Sequence, residues 1–391
     1  MKKTIIVDNG STSKKYALYD NLTQSLFSHY EKIPETFLLT EVKSGDEKES
    51  KISPETFDNS FADFIDRLFK YDLIGTEDDI GTIAIRIVAP GKFFQDHRLI
   101  NKDYLMKLDE VCELSPLHIK PVKAELANIK DRLGEVKIVS ISDSAFHKTI
   151  TEPAKMYAFP FELTEKLELY RYGYHGISVS SVLREFSNNF GEAANIIVCH
   201  LGGGSSVTAI KNGRSFDTSM GFSPLEGLPM ATRIGNADIN AVISVMDSEN
   251  FDSTELQTFL YKECGMKGLS GVSDDTRVIL EAAQKGNKNA ELALNVYAYQ
   301  IKKTIGAYRT VLGSLDALIF TGTIGERSAE IRRRICDGLE SIGISIDLAK
   351  NKVQLSGRGL IGTPSSPIKI AVLPTSEIEE MAKISATIIN N

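Results

Sequence analysis

Two stretches of this chain carry the same order of parts. Residues Thr4 to Asp20 read TIIVDNGSTSKKYALYD, and Asn195 to Gly221 read NIIVCHLGGGSSVTAIKNGRSFDTSMG. In each, an apolar β-branched run (Ile5, Ile6, Val7; then Ile196, Ile197, Val198) enters a turn of small residues, and a second alternating run leaves it. Such text predicts a β-hairpin whose tip exposes backbone N–H groups and hydroxyls. One tip of this kind is an ordinary turn. Two of them predict an internal duplication, with two phosphate-gripping hairpins facing one cleft.

The bulk numbers suit that idea. A chain of 391 residues is too long for one ordinary core and fits two domains. The expected division is 1–147 plus 379–391 for the first domain, with the C-terminal helix returning to it, and 148–378 for the second. A formal net charge of -7 argues against a dedicated nucleic-acid binder, which needs a basic footprint. No apolar run approaches the ~18 residues of a membrane span, and the three-residue run in MKKTIIVDNG is too short for a signal peptide. Cys112, Cys199, Cys264 and Cys336 are scattered without a C-x-x-C pair. Reduced thiols and a cytoplasmic location are expected, with neither zinc nor disulfides implied.

Along the chain, strand-like and helix-like segments mix, which gives α/β. SLFSHYEKI and TFLLTEVKS read as strands, and the polar stretch Ser44 to Glu55 as an exposed loop. Phe61 to Tyr71 and Lys102 to Glu113 have helical spacing, whereas Ile83 to Val88, Val136 to Ile141, Leu315 to Phe320 and Ile368 to Leu373 read as strands. Residues 151–175 read as loop-rich. Glu291 to Leu312 is a long helix, and the segment after Pro374 is a last helix with Glu in its first turn.

Several motifs carry chemistry. Asp8-Asn9-Gly10-Ser11-Thr12-Ser13, followed by Lys15, puts small residues where backbone must approach an anion, and Asp8 at the strand end could hold Mg²⁺ through water. His200-Leu201-Gly202-Gly203-Gly204-Ser205-Ser206 is the stronger case, because three consecutive glycines cost chain entropy and a phosphate against the backbone would justify them. Thr321 to Glu326 forms a strand–Gly turn–helix that could place a nucleotide at a helix N-terminus. Arg86 lies inside an apolar strand and Arg233 between Gly-rich turns; each is by itself only suggestive, and His118 and His175 taken singly read as structural. Asp143 ends a buried-type strand, where α/β site residues gather. Gly357 to Gly362 matches G-x-G-x-x-G but leads into a strand, so it is no dinucleotide site. The basic run Arg332-Arg333-Arg334 reads as a solvated helix face.

Taken together, these residues resemble the acetate kinase family along nearly the whole chain. NGSTSKK, IRIVAPGKFF, LSPLHIKP, SDSAFHKTI, YRYGYHGIS, HLGGGSS, TSMGFSPLEGLPMATRIG, GVSDDTR, FTGTIGER and PTSEIEEMA stand in the order of that family's motifs, and the block 218–235 is quite specific to it. The resemblance implies two duplicated actin-like, ribonuclease H-like ATPase domains with a cleft between them. It implies reversible phosphoryl transfer from ATP to acetate or propionate, with Mg²⁺ or Mn²⁺, in a homodimer that needs no nucleic acid or membrane. Carried over, Arg86 and Arg233 clamp the phosphoryl group and the carboxylate, His175 bonds the phosphoryl oxygens, Asp143 organises the arginines and His118 supports them. Asp8 and Glu377 anchor the metal. Val88, Leu117, Tyr174 and Pro224 line the pocket for the acid's alkyl end. Ser11, Ser13, Lys15, His200, Gly202, Gly203 and Gly204 hold phosphate, and Asp275, Arg277, Thr323, Ile324 and Gly325 hold the nucleotide.

The chain departs from the family at named places: Asp8 and Gly203 for Asn, Ala89-Pro90 for His-Gly, Tyr174 for Phe, Thr323 for Gly and Arg327 for Asn. Two rival readings stand beside the kinase. One keeps the acyl chemistry with pyrophosphate or another donor. The other is an actin- or chaperone-like ATPase without an acyl substrate, against which the two arginines count, since a pure ATPase needs no carboxylate clamp.

Overall fold

The computed structural model describes residues 2–10, 12–33, 35–353 and 357–389. It divides into two compact units, Met1–Ala145 with Ser376–Asn391, and Phe146–Thr375. Glu377, assigned by the sequence reading to the second domain, falls in the first unit, because the helix it opens, Glu377–Ile389, packs on the first unit's sheet.

In the first unit the strands are β1 (Lys3–Asn9), β2 (Ser13–Asp20), β3 (Thr23–Ile33), β4 (Thr36–Lys43), β5 (Asp46–Ile52), β6 (Ile80–Ile87), β7 (Arg98–Leu99) and β8 (Lys137–Ser142). They lie in the order β5-β4-β3-β2-β1-β6-β8-β7. The second unit holds β9 (Asn195–Leu201), β10 (Ser205–Lys211), β11 (Arg214–Thr218), β12 (Ala317–Thr321), β13 (Gly359–Leu360) and β14 (Lys369–Val372), in the order β11-β10-β9-β12-β14-β13. Within these lies one repeated pattern. β3-β2-β1 and β11-β10-β9 are antiparallel neighbours, and β6-β8 and β12-β14 then extend each sheet in parallel. The duplication expected from the two hairpins is therefore present in strand order, and the fold is α/β with two actin-like units.

Alternation along each central strand feeds two cores, one per face. On β9, Ile197, Cys199 and Leu201 meet the long helix Lys288–Leu312, while Ile196 and Val198 meet Val179, Val182 and Phe186 of the helix Gly176–Phe190. β12 repeats this with Leu318 and Phe320 on one side and Ala317 and Ile319 on the other. In the first unit Ile5, Val7, Tyr16, Leu18, Ile83, Ile85 and Ile87 all point into one core beneath the helices Ser60–Lys70 and Pro116–Leu133. Period two then sends Asp8, Lys15 and Arg86 to the other face, where Glu377–Ile389 lies.

Three sequence expectations need correction. Ser44 to Glu55 is not a loop: Asp46–Ile52 is the edge strand β5, and its charged, exposed residues are what an edge strand tolerates. Pro116–Leu133 is a helix that the sequence reading passed over. Pro116 occupies its first turn, where a missing N–H costs nothing, while Pro121 inside it hides the periodicity. The run Arg332 to Arg334 is not uniformly solvated. On the helix Ala329–Cys336, Arg333 and Arg334 pair with Glu330 and Glu291, but Arg332 shares the inner face with Ile331, Ile335 and Cys336 and is fully buried. Among the described residues no helix is long and apolar enough to cross a membrane.

The end of β8 is clamped by residues 94–98. Ser142 Oγ donates to Phe94 O, the Ser142 N–H donates to His97 Nδ1 at 3.0 Å, and Asp143 N donates to Ile87 O at 3.0 Å. His97 must be neutral to accept, and burial pushes its pKa from 6.5 down to about 4 against the weaker opposing pull of Asp96. Between those values the unfolded chain binds the proton and the folded one does not, so stability falls as pH drops from 6.5 towards 4. A loss on the order of 1–2 kcal/mol by mid-window is expected, at about 1.4 kcal/mol per pH unit. His97→Gln keeps an acceptor without a titrating group. Its thermal midpoint at acid pH should fall less from the neutral value than the parent's, and equal falls in both proteins would remove His97 from the account.

Candidate active site

The first unit gathers its charges at the carboxyl ends of β1, β6 and β8. Lys15 is the direct cross-strand partner of Asp8, and its Nζ lies 3.6 Å from that carboxylate. Arg86 Nη1 donates to Asp8 Oδ1 and Nη2 to Asp143 Oδ2, each at 3.2 Å. Burial raises the Asp8 pKa, but Arg86 and Lys15 together outweigh it and hold the carboxyl below its ordinary range. In the reverse direction Asp8 holds Lys15 above its ordinary value, against burial. Glu377 is raised first by burial and also by Asp8 and Asp143, with Arg86 and Lys15 opposing. Among the described residues Arg86 Nε is buried with no hydrogen-bond partner. Nη1 and Nη2 each spend one N–H on a carboxylate and keep a second, so the guanidinium retains donors for an anion.

The hairpin beside this cluster is tied down on both flanks. Gly10 N donates to Ser13 O at 2.8 Å, and Ser13 Oγ lies 2.7 Å from His29 Nε2. Asn9 Nδ2 donates to Pro121 O and to the buried Glu125, which also accepts from Tyr16. Ser11 lies outside the described residues. Val88 follows β6, and Leu117 and His118 open the helix Pro116–Leu133; all three are half-buried.

The second unit builds its site around the β9–β10 tip. Gly202 N donates to Gly204 O at 3.0 Å, which closes the turn. His200 faces the helix Gly176–Phe190 and its Nδ1 lies 2.7 Å from Ser178 Oγ. His175 caps that helix in the left-handed region, at φ 62°, a conformation that costs a non-glycine residue about 1–2 kcal/mol. Its Nδ1 lies 3.0 Å from Ser206 Oγ, and its ring centroid lies 4.2 Å from that of His200. With Nδ1 so engaged, Nε2 points to the tip: a Cβ on Gly204 would meet it at 3.0 Å and Arg233 Nη1 at 3.6 Å. Arg233 is itself aimed by a bond to Pro224 O at 3.1 Å and by lying over the Tyr261 ring. His175, Arg233 and the glycine tip are thus one constellation.

Pro224 and Tyr174 are linked through the loop between them. The Tyr174 hydroxyl donates to Phe222 O at 2.7 Å, so the polar atom gained by Tyr in place of Phe is spent on backbone. Phe222 N donates to Tyr157, Tyr157 bonds Glu226, and Glu226 pairs with Arg171 at 2.8 Å. Sequence reasoning missed this triad, and also Ser178 and His147, whose Nε2 lies 2.8 Å from Tyr174 O. No local pattern marks them, because their partners are distant in the chain.

The turn after β12 sits against the same tip. Thr321 pairs with His200 across the strands. Gly322 has φ 75°, and a Cβ there would strike Leu201 O at 2.7 Å, so only glycine fits. Thr323 N lies 3.8 Å from where a Cβ on Gly202 would be, while the Thr323 side chain is exposed. Ile324 and Gly325 continue the short helix Gly322–Arg327. Asp275 and Arg277 stand apart from this contact set. Asp275 caps the helix Thr276–Gln284, and its carboxylate pairs with the exposed Arg277 at 2.6 Å.

Comparison with known proteins agrees with this geometry. The sequence model of the acetokinase family matches residues 3–383. The chain is 38% identical over 384 residues to an acetate kinase of Desulfitobacterium hafniense (strain Y51), covering 96% of each. It is 38% identical over 390 residues to an acetate kinase of Methanosarcina mazei, covering 96% of this chain and 94% of that one. Among solved structures, a propionate kinase from Francisella tularensis superposes with a TM-score of 0.88 at 31% identity, covering 98% of both chains. The acetate kinase of Porphyromonas gingivalis gives 0.85 at 31% identity, covering 100% of both. A match of this length, on a duplicated sheet order with both hairpins in place, has one meaning: the chain belongs to the acetokinase family.

Proposed function

We propose that this protein is a short-chain carboxylate kinase that transfers the γ-phosphoryl group of ATP to acetate or propionate, reversibly, giving an acyl phosphate and ADP. The observation that carries this is the pair of aimed guanidinium groups, Arg86 with a second N–H on each Nη and Arg233 beside His175 and the glycine tip. A carboxylate oxygen attacks the γ-phosphorus, the new P–O bond forms, and the bond to the ADP oxygen breaks with its electron pair. No proton is moved, so no general base is required. What the reaction needs is positive charge and N–H donors on two anions brought together.

The roles follow. Arg86 and Arg233 hold the phosphoryl group and the carboxylate, His175 donates through Nε2, and Asp143 fixes Arg86. The two hairpin tips, with Ser13, Lys15 and His200, hold phosphate. Val88, Leu117, Tyr174 and Pro224 limit the acid's length, and His118 supports that side. Thr323 to Gly325, with Asp275 and Arg277, hold the nucleotide. Asp8 and Glu377 would hold a divalent ion, Mg²⁺ or Mn²⁺, by the oxygen-donor chemistry of two carboxylates: Glu377 is raised first by burial and then by Asp8 and Asp143, and a cation relieves that like-charge contribution. When bound, the ion would neutralise charge on the nucleotide's phosphate oxygens. Membership of the acetokinase family supports ATP over pyrophosphate, and supports an acyl acceptor over a bare ATPase.

Purified protein should trap hydroxamate from acetate, ATP and Mg²⁺, and trap little when the metal is chelated. Arg233→Ala should fold and lose on the order of 10²–10⁴ in kcat. ATP hydrolysis indifferent to any short acid, with no hydroxamate, would sink the assignment.

The donor side has its own test. Thr323 is exposed at the turn, so Thr323→Gly should leave the fold intact, lower KM for ATP severalfold and leave KM for acetate nearly unchanged. A change confined to the acid's KM would show that the turn is not beside the nucleotide. A parent that turns over far faster with pyrophosphate than with ATP would reassign the donor.

We also propose a cytoplasmic homodimer. Its support is the helix Ile239–Glu249, which buries none of its residues and leaves Ile239 and Ile243 73% and 47% exposed. Light scattering should give twice the chain mass for the parent and the chain mass for Ile243→Lys; a monomeric parent refutes the dimer.

A further inference from the structure

Arg332 is a large side chain withdrawn wholly from solvent, and it is spent on backbone and on one asparagine. Nη1 donates to Gly325 O and to Glu326 O, both at 2.7 Å. Nε donates to Asn351 Oδ1 at 2.7 Å and Nη2 to Asn351 O at 2.8 Å. Asn351, itself buried, returns a bond from Nδ2 to Ala329 O at 2.8 Å. Burial pulls the guanidinium pKa down to about 10, which measures how reluctantly a charge enters this place. If filling space were the only need, an apolar side chain of similar volume would cost less.

The segment it grips is short and needs anchors at both ends. Gly322–Arg327 is six residues long, too short to persist by propensity. Its last carbonyls lack helical partners, and those of Gly325 and Glu326 are the ones the guanidinium satisfies. At its start the segment is pinned by the Thr321–His200 pairing and by Gly322 packed on Leu201 O. Between the two anchors, Thr323 N is held against the Gly202 turn.

We propose that Arg332 and Asn351 are positioning residues for the nucleotide: their clasp holds residues 322–327 against the second hairpin tip, so that ATP meets a turn already formed. This rests on the assignment of that turn to the nucleotide. The gain is preorganisation, since a turn that is ordered only on binding subtracts its ordering cost from affinity. The clasp's hydrogen bonds go to the carbonyls of Gly325, Glu326 and Ala329 and within the pair itself, so it should act on the nucleotide turn and not on the acid.

The test uses the full chain and ADP as the probe, with Asn351→Ser as the mild variant and Arg332→Lys and Arg332→Met as a graded pair. By calorimetry, Asn351→Ser should weaken ADP binding about tenfold, the loss expected for one or two buried hydrogen bonds. KM for ATP should rise in parallel, and KM for acetate should stay within about twofold. Arg332→Lys should retain more ADP affinity than Arg332→Met, because an ammonium can still reach a carbonyl. A folded Asn351→Ser protein with a lower melting temperature but the parent's ADP affinity overturns the proposal and leaves the clasp a stability feature. Equal rises in both KM values overturn it as well. A parent that binds no ADP removes the kinase assignment and this inference together, whereas a parent that binds it while the variants bind equally removes only this inference.

Discussion

Arg86 is the constraint on which the first unit's site depends. A guanidinium with two carboxylates on its two Nη groups has its plane and direction fixed, and each Nη keeps a second N–H to offer. That fixing is expensive to obtain. It needs Asp8 and Asp143 at the ends of two strands that flank the arginine's own strand, in register, on the same face. The parallel order β1-β6-β8 supplies this without further machinery, since neighbouring parallel strands that end together present their last residues side by side. The clamp of residues 94–98 on β8 then keeps Asp143 from drifting when the guanidinium is drawn toward an anion.

The second unit solves the same problem with different groups. Where the first sheet ends in Asp8, the second ends in His200, whose ring lies tilted against that of His175. Arg233 arrives from a loop and must be aimed by that loop, through Pro224 O and the Tyr157–Glu226–Arg171 triad behind it. One repeated sheet order therefore carries two styles of positioning, one by strand register and one by a braced loop. Their sensitivities differ accordingly. The strand-borne arginine is protected by the sheet, whereas the loop-borne one depends on buried polar pairs that each cost free energy when half broken.

What was legible in the sequence follows the same division. Near-continuous apolar runs declared β1, β6, β8, β9, β12 and β14, because a strand buried on both faces has little freedom of composition, and alternating runs after the tips declared β2 and β10. The tip was visible as a run of three glycines, and Gly322 as the glycine after a buried strand, where backbone approach forbids a Cβ. The charged edge strand β5 was hidden, since an edge needs no apolar face, and Pro121 masked the helix Pro116–Leu133. Arg332 was misread because its run of three arginines describes a surface, and one residue of a helix turns inward for reasons that lie nineteen residues on, at Asn351. The candidate catalytic residues themselves were named mainly by family resemblance. Geometry adds their supporting partners, which no spacing rule encodes.

The departure at Asp8 shows how a substitution can be absorbed electrostatically. An acid in place of an amide adds a negative charge where the proposed reaction brings anions, which by itself opposes it. Here the added charge does not stay free: Lys15 faces it across the hairpin and Arg86 donates to it, and the two together depress its pKa despite burial. The cost is passed to Glu377, whose pKa rises through burial and through Asp8 and Asp143. Counting Asp8, Asp143 and Glu377 against Lys15 and Arg86, the cluster carries one more acid than base. A lone phosphate meets that balance unfavourably, and a phosphate that brings a divalent cation meets it well. Under the proposed function, the extra acid at position 8 suits the first unit to a phosphate that arrives with its divalent cation.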